Sequence, residues 1–196
     1  MVELQHSAGG IPALTAFVSS HPGAGATDWD SQTFQPVKRQ IKKALNRDQQ
    51  GLCVYCEREL SAADGQIDHI KPKSGPNAHP QLCFIYTNHA HSCIHNKTCG
   101  QKKKHGLLPI EPGPGCNREW ALSTDGTIEP VAGLTRRQRH DVTQTRDMLG
   151  LNADPSLVDD RQKWFKSTLA VLAASPNDVD DFLQNTPFRY ILATGL

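Results

Sequence analysis

Two pairs of cysteines constrain this chain more than any other feature of its sequence. Cys53 and Cys56 form a C-x-x-C pair, and Cys93 and Cys99 form a second pair with five residues between them. Two thiolates on one turn can bind one zinc ion together, and two such turns complete a tetrahedral site. The four cysteines therefore predict a structural zinc site. A redox site shares the C-x-x-C spacing, but it usually lies in a βαβ unit, and no such pattern surrounds Cys53.

Two further cysteines lie outside these pairs. Cys83 falls in an apolar run from Leu82 to Ile85 and is predicted to pack in the core as a small hydrophobic side chain. Cys116 lies in a glycine-rich loop, where it could replace one of the four ligands. A disulfide framework is not expected, because the chain is predicted to be cytoplasmic and the cytoplasm is reducing.

The cytoplasmic prediction rests on the lack of targeting signals. The 196 residues contain no apolar run long enough to cross a bilayer and no signal-peptide pattern at the N-terminus.

The net charge of +1 excludes a protein that is basic throughout, yet Lys and Arg cluster in residues 36–47 and 101–105. Such basic strips suit a phosphate-binding surface, although a solvated helix face has the same composition.

Local patterns predict short elements in the first two thirds and helices at the end. Pro36 opens a helix that places Val37, Ile41 and Leu45 on one face. The other predicted elements are short strands at 52–55 and 66–70, a helix from Phe84 onward, a hairpin around Asp125-Gly126, and C-terminal helices that begin at Thr135, at Asp154-Pro155, and at Asn177 or Asp178.

An acidic residue followed directly by a histidine lies between the cysteine pairs. Asp68 and His69 end a predicted strand, Pro72 follows, and Asn88 precedes the second cysteine pair. An isolated Asp-His pair is usually an ordinary surface pair. Its position between two zinc-binding turns makes it a candidate catalytic site.

The order of these motifs resembles the zinc-containing HNH endonucleases. The resemblance is closer to PtuB-like proteins, the HNH partners in Septu and retron anti-phage systems, and it covers roughly residues 36–165. It is carried by Leu52-Cys53-Val54-Tyr55-Cys56-Glu57, Asp68-His69 with Pro72-Lys73-Ser74, Asn88 with Ser92-Cys93, and Cys99-Gly100 with Lys102.

This resemblance implies a role for each matching residue. His69 would be the general base that takes a proton from water. Asp68 would hold a catalytic Mg²⁺ or Mn²⁺ ion, and Asn88 would orient the His69 loop. The cations expected to contact phosphate are Lys73, Lys102, Lys103 and Lys104.

The sequence departs from the family pattern in two places. In compact HNH proteins the third letter, a metal ligand, directly follows the last cysteine, but here that residue is Gly100. Gln101 is the predicted replacement, with Asn96 and His95 as alternatives. His89 and His91 replace apolar helix residues, and we expect them to be incidental or to face the substrate.

The resemblance implies an α+β fold in which a zinc-stapled ββα-metal (HNH) centre is flanked by N- and C-terminal helices. Residues 1–35 would be an irregular segment, 36–134 the nuclease core and 135–196 a helical region. The implied function is phosphodiester cleavage, with DNA favoured and tRNA as the alternative substrate. A zinc-knuckle nucleic-acid-binding module and a non-catalytic structural subunit are the rival functions.

The resemblance also implies partners. PtuB-like proteins work beside PtuA, an ATPase, and a retron complex would add reverse transcriptase and its small DNA. Apolar residues of the C-terminal helices are the predicted docking surface for the ATPase, although an ordinary helical core would need the same residues: Trp164, Phe165, Phe182, Leu183, Phe188, Tyr190 and Ile191.

Overall fold

The computed structural model describes residues 1–196 and has an α+β fold, as the sequence predicts. The helices are α1 (Pro12–Ser20), α2 (Gln35–Asp48), α3 (Cys99–Lys103), α4 (Arg136–Leu149), α5 (Pro155–Ala174), α6 (Val179–Gln184) and α7 (Arg189–Ala193). The strands form two antiparallel hairpins: β1 (Gln66–His69) with β2 (His89–Ser92), and β3 (Trp120–Leu122) with β4 (Ile128–Pro130).

The β1–β2 hairpin and α3 form a ββα unit. β1 pairs with β2 in a register that sets Gln66 opposite Ser92 and His69 opposite His89. The helix predicted from Phe84 is therefore wrong, because this segment forms a single 3-10 turn and then β2. Pairing with β1 supplies hydrogen bonds that outweigh the weak local preference of the segment for a helix.

Two other expectations concern this region, and the first of them is wrong. The strand predicted at 52–55 is a turn, with only a single bridge from Leu52 to Glu59, and this turn brings the sulfurs of Cys53 and Cys56 to one point. His89 and His91 lie on one face of a strand, since side chains two residues apart share a face. Both are fully buried, so neither faces the substrate.

The helices with clear boundary signals form as predicted. Val37, Ile41 and Leu45 are the buried face of α2. Thr135 caps α4 through a capping box with Gln138, and Gly150 ends this helix in the left-handed conformation.

Two hydrophobic clusters meet at the ββα unit. The larger one combines the cysteine region with β3, β4 and the C-terminal helices, and it includes Ala90 of β2. The smaller one joins α1 and α2 around Trp29 and Phe34, and Ile67 of β1 packs against it. The hairpin that carries Asp68 and His69 is thus held between two packed surfaces.

Most apolar residues of the C-terminal helices belong to the larger cluster. Phe165, Leu183, Phe188 and Ile191 are buried in it. Leu169 of α5 is the main apolar side chain that these helices leave exposed, at 39%. No helix in the chain combines the length and the apolar character needed to span a membrane.

Candidate functional site

The four paired cysteines converge on one point. Their sulfur atoms all lie within 4.8 Å of one another. The Sγ atoms of Cys53 and Cys99 are 3.8 Å apart, and those of Cys56 and Cys93 are 4.0 Å apart. A zinc–sulfur bond of about 2.3 Å gives a tetrahedron with edges of about 3.8 Å. The cluster therefore has the dimensions of a zinc site with four thiolate ligands.

The chemistry of the thiols supports the same ligand. Three of the four are buried, and burial raises the pKa of the Cys99 thiol well above its usual range. Four thiolates this close together repel one another, and a zinc ion bound between them would supply the compensating positive charge. Cys116 lies outside the cluster, where its thiol faces the carbonyl oxygens of Met1 and Val2. Cys83 is buried in the core, as predicted.

Asp68 lies beside the four-cysteine cluster, at the centre of a network of buried groups. Its Oδ2 accepts a hydrogen bond from the Tyr55 hydroxyl at 2.5 Å and lies 3.0 Å from the Lys103 ammonium. Burial raises the pKa of Asp68, while the charge of Lys103 acts in the opposite direction. Oδ1 accepts no hydrogen bond from the protein and is thus the oxygen open to an ion.

Gly100, the residue directly after the last cysteine, has no room for a side chain, because a residue of β1 occupies the space beside it. A side chain at Gly100 would begin 2.9 Å from Nε2 of Gln66 and 3.2 Å from Oδ1 of Asp68. Gln66 thus takes the space that the third HNH ligand would need. Gln101 is exposed, and its amide donates to Oε1 of Gln66 at 2.7 Å. It reaches the Asp68 region only through Gln66.

The two alternatives to Gln101 lie elsewhere. His95 is 3.7 Å from the carboxylate of Asp154, at the start of α5. Asn96 is exposed and forms no side-chain hydrogen bond within the protein. Neither residue is therefore within reach of the Asp68 carboxylate.

His69 is oriented by two aromatic rings and one carbonyl. Its Nε2 lies 3.0 Å from the carbonyl oxygen of Cys83, and its ring packs edge-on against Trp29 and His89. Because Nε2 must donate to that oxygen, Nδ1 is the unprotonated nitrogen. Burial, with a smaller effect of His89, lowers the pKa of His69 to about 3. The ring is therefore neutral at physiological pH.

The loop between the strands is held by Asn88. Its Oδ1 accepts from the backbone N–H of Lys71, and its Nδ2 donates to the carbonyls of Lys71 and Leu82. These bonds join the segment after His69 to the segment that carries Cys83. Asn88 thus holds together the two sides of the His69 environment, although it forms no hydrogen bond with the imidazole.

A cavity of about 230 Å³ opens onto these groups. Its lining includes Asp68, His69, Lys73 and Lys104. Lys73 lies 3.6 Å from the exposed carboxylate of Asp30. Lys103, in contrast, is completely buried, and it donates to the carbonyl oxygen of His69 at 2.8 Å as well as contacting Asp68. Lys102, the residue before it, is exposed and does not line this cavity.

Sequence reasoning missed three residues that shape this site. Tyr55 looks like a spacer between cysteines, but its hydroxyl binds Asp68. Gln66 shares a face with Asp68 because they are two residues apart on a strand, and this spacing was a usable signal. Trp29 had no signal, because it lies 40 residues from His69 in an irregular segment.

The ββα unit, the four-thiol site and the Asp-His pair at the end of β1 define an HNH endonuclease fold. No protein-family model matches the chain. It is 42% identical over 174 residues to a Vibrio cholerae serotype O1 biovar El Tor protein that is named as an HNH endonuclease of retron Vc95, and the match covers 84% of each chain. This chain therefore belongs to the HNH endonucleases of retrons, and it is a nuclease of a defence system.

Proposed function

We propose that this protein hydrolyses phosphodiester bonds in the cavity lined by Asp68 and His69. The observation that carries the proposal is the geometry of His69. Its Nε2 lies 3.0 Å from the carbonyl oxygen of Cys83, which leaves Nδ1 free, and its ring lines the cavity beside Asp68. A neutral imidazole held in one orientation can accept a proton through its free Nδ1.

The chain's own residues account for the reaction as follows. Nδ1 of His69 takes a proton from a water molecule as its oxygen attacks phosphorus. The phosphorus–oxygen bond to the leaving group then breaks, and the leaving oxygen takes a proton from solvent. Lys73 and Lys104 place positive charge at the cavity wall, where phosphate would bind. A Mg²⁺ or Mn²⁺ ion, when bound at Oδ1 of Asp68, would neutralise charge on the scissile phosphate.

DNA is the proposed first substrate, with tRNA as the alternative. The test incubates the protein with supercoiled plasmid and with tRNA, with and without added Mg²⁺ or Mn²⁺. We expect ion-dependent cleavage, and we expect Asp68→Asn to need more ion to reach the same rate. Failure to cleave either substrate under any of these conditions, both by the protein alone and by the protein co-expressed with its proposed partners, would reject the proposal.

A second candidate function is a nucleic-acid-binding subunit without catalysis. One observation favours it, because the Lys103 ammonium neutralises Asp68 without any ion. The two functions differ in a simple way. A non-catalytic subunit would bind the plasmid or the tRNA and leave both intact.

We further propose that the protein acts within a complex that contains a PtuA-like ATPase, reverse transcriptase and the retron's small DNA. The name of the Vibrio relative supports the retron setting. Leu169, the exposed apolar residue of α5, is the proposed contact with the ATPase. On co-expression, Leu169→Asp should lose co-elution with the ATPase on size exclusion, while Ile94→Asp, on the zinc loop, should keep it. Separate elution of the wild-type proteins would reject the proposed complex.

A further inference from the structure

A second cavity continues the one at His69. It has a volume of about 340 Å³ and lies along one side of α2. The two cavities share Trp29, Asp30, Gln66 and Ile67 in their linings. The two cavities therefore adjoin, and together they are called here the α2 groove, which extends from His69 along one side of α2.

The far end of this groove is strongly basic. Lys38, Arg39 and Lys42 line it, and Lys73 and Lys104 line the end near His69. Lys38 and Lys42 are four residues apart on α2, so their Cα atoms are about 6 Å apart along the helix axis. Five cations thus border one groove in a chain whose net charge is only +1.

One carboxylate lies at the junction of the two cavities. The Asp30 carboxylate accepts from Lys38 at 2.6 Å and lies 3.6 Å from Lys73. It is 73% exposed, so burial does not hold it there. Lys38 also lies 5.0 Å from the centre of the Trp29 ring. Two lysines from different parts of the chain are therefore held around one exposed anion.

We propose that the α2 groove binds the phosphate backbone of the nucleic acid beside the scissile bond, with Lys38, Arg39 and Lys42 as phosphate contacts and with Asp30 occupying a phosphate position until substrate binds. This inference rests on the proposed nuclease function and adds the path of the substrate to it. Phosphate oxygens can replace the Asp30 carboxylate because both are anionic acceptors for lysine. Substrate binding then releases Asp30 to solvent.

The test measures binding separately from cleavage. All proteins in the binding test carry His69→Ala, so that the probe is not cut. Fluorescence anisotropy measures the binding constant for a labelled DNA duplex of about 30 base pairs, which is long enough to span several phosphate contacts. The measurement is repeated with one labelled strand of that duplex, and both probes are measured over a series of salt concentrations. The groove variant combines Lys38→Gln, Arg39→Gln and Lys42→Gln. The control removes the same charge from positions outside the groove, by Lys43→Gln, Arg47→Gln and Lys166→Gln.

Each lost phosphate contact should reduce the slope of log K against log salt by about 0.9 for duplex and about 0.7 for single strand. The groove variant should therefore lose about 2.7 or about 2.1 from the slope, and the control should stay close to the parent. Asp30→Asn should bind more tightly, because an anion leaves the phosphate position. Arg39→Gln alone, which removes no internal hydrogen bond, should reduce the slope by about 1 even if the triple variant unfolds.

An unchanged slope in Arg39→Gln, an equal loss in the control, or weaker binding by Asp30→Asn would overturn the inference. Cleavage assays on proteins that carry the same groove substitutions but keep His69 distinguish this inference from the proposed function. If the wild-type protein cuts and the groove variant cuts equally well at every salt concentration, the groove inference fails and the proposed function stands. If no protein cuts but the slopes change as expected, the groove stands as a binding surface and the proposed function fails.

Discussion

Mild acid should destabilise this protein through its buried histidines. His69 and His89 both direct Nε2 at the carbonyl oxygen of Cys83, and their rings are 4.9 Å apart. Burial lowers the pKa of His89 to about 4, and burial together with His89 lowers that of His69 to about 3. In the unfolded chain both would titrate near a pKa of about 6.5. Between the folded and the unfolded pKa values, the unfolded state therefore binds more protons than the folded state. The free energy of unfolding is thus at its full value above about pH 6.5 and falls as the pH drops below it.

The size of the effect follows from the unfolded pKa. At about pH 5, a histidine that is neutral in the fold and has a pKa near 6.5 when unfolded costs about 2 kcal/mol. Two such residues cost about 4 kcal/mol, a large part of the roughly 5–15 kcal/mol by which a typical domain is stable. Acid also protonates zinc-binding thiolates, so the total loss alone does not isolate the histidines.

A difference between two proteins removes that complication. Urea unfolding of wild type and of His89→Leu at pH 7 and pH 5 compares proteins with the same four cysteines. His89→Leu should lose about 2 kcal/mol less than wild type between the two pH values, because it has one titrating group fewer. Equal losses would show that His89 is not held neutral in the fold, and would refute the reasoning.

Three further predictions concern stability. Chelation of zinc at pH 7 should unfold residues around the cysteine cluster, since structural zinc contributes about 10–16 kcal/mol in small zinc peptides; unchanged near-ultraviolet circular dichroism after complete zinc removal would contradict this. Gly126→Ala should lower the free energy of unfolding in urea by roughly 1–3 kcal/mol, because its φ is +86° and a Cβ would lie 2.2 Å from the Val158 carbonyl oxygen. The control Gly113→Ala, whose Cβ would meet open space, should differ from wild type by less than about 0.5 kcal/mol. Equal losses in the two variants would contradict this prediction. Glu57→Gln should cost about 3–5 kcal/mol, because the buried carboxylate pairs with the Met1 ammonium at 2.8 Å; a loss below about 1 kcal/mol would argue against a net contribution from this pair.

Local spacing is enough to predict the four-thiol cluster and the boundaries of α2, α4 and α5. Each cysteine pair lies within a few residues of chain, so its geometry depends little on the rest of the fold. The capping box at Thr135 and the left-handed Gly150 are likewise local signals. The sequence therefore predicted α2, α4 and α5 well.

Elements that depend on distant pairing could not be predicted in this way. β2 contains His-Ala-His-Ser, which has no strong strand preference, and it forms because β1 lies beside it in the fold. The lysine run at 102–104 gave no sign that its middle member is buried. α3 ends at Lys103, and this short helix directs that side chain at Asp68 while Lys102 and Lys104 stay exposed.

The cleavage rate of a His69 variant is the measurement that tests most directly whether this protein cuts nucleic acid at the Asp68–His69 site. Cleavage by wild type should be compared with His69→Ala and with His21→Ala, which changes an exposed histidine on another part of the surface. We expect His69→Ala to lose about 10²–10⁴-fold in rate, the usual contribution of a positioned proton acceptor, with the zinc content unchanged and the protein still folded. His21→Ala should cut like wild type. Cleavage by His69→Ala at the wild-type rate would show that the nuclease site lies elsewhere.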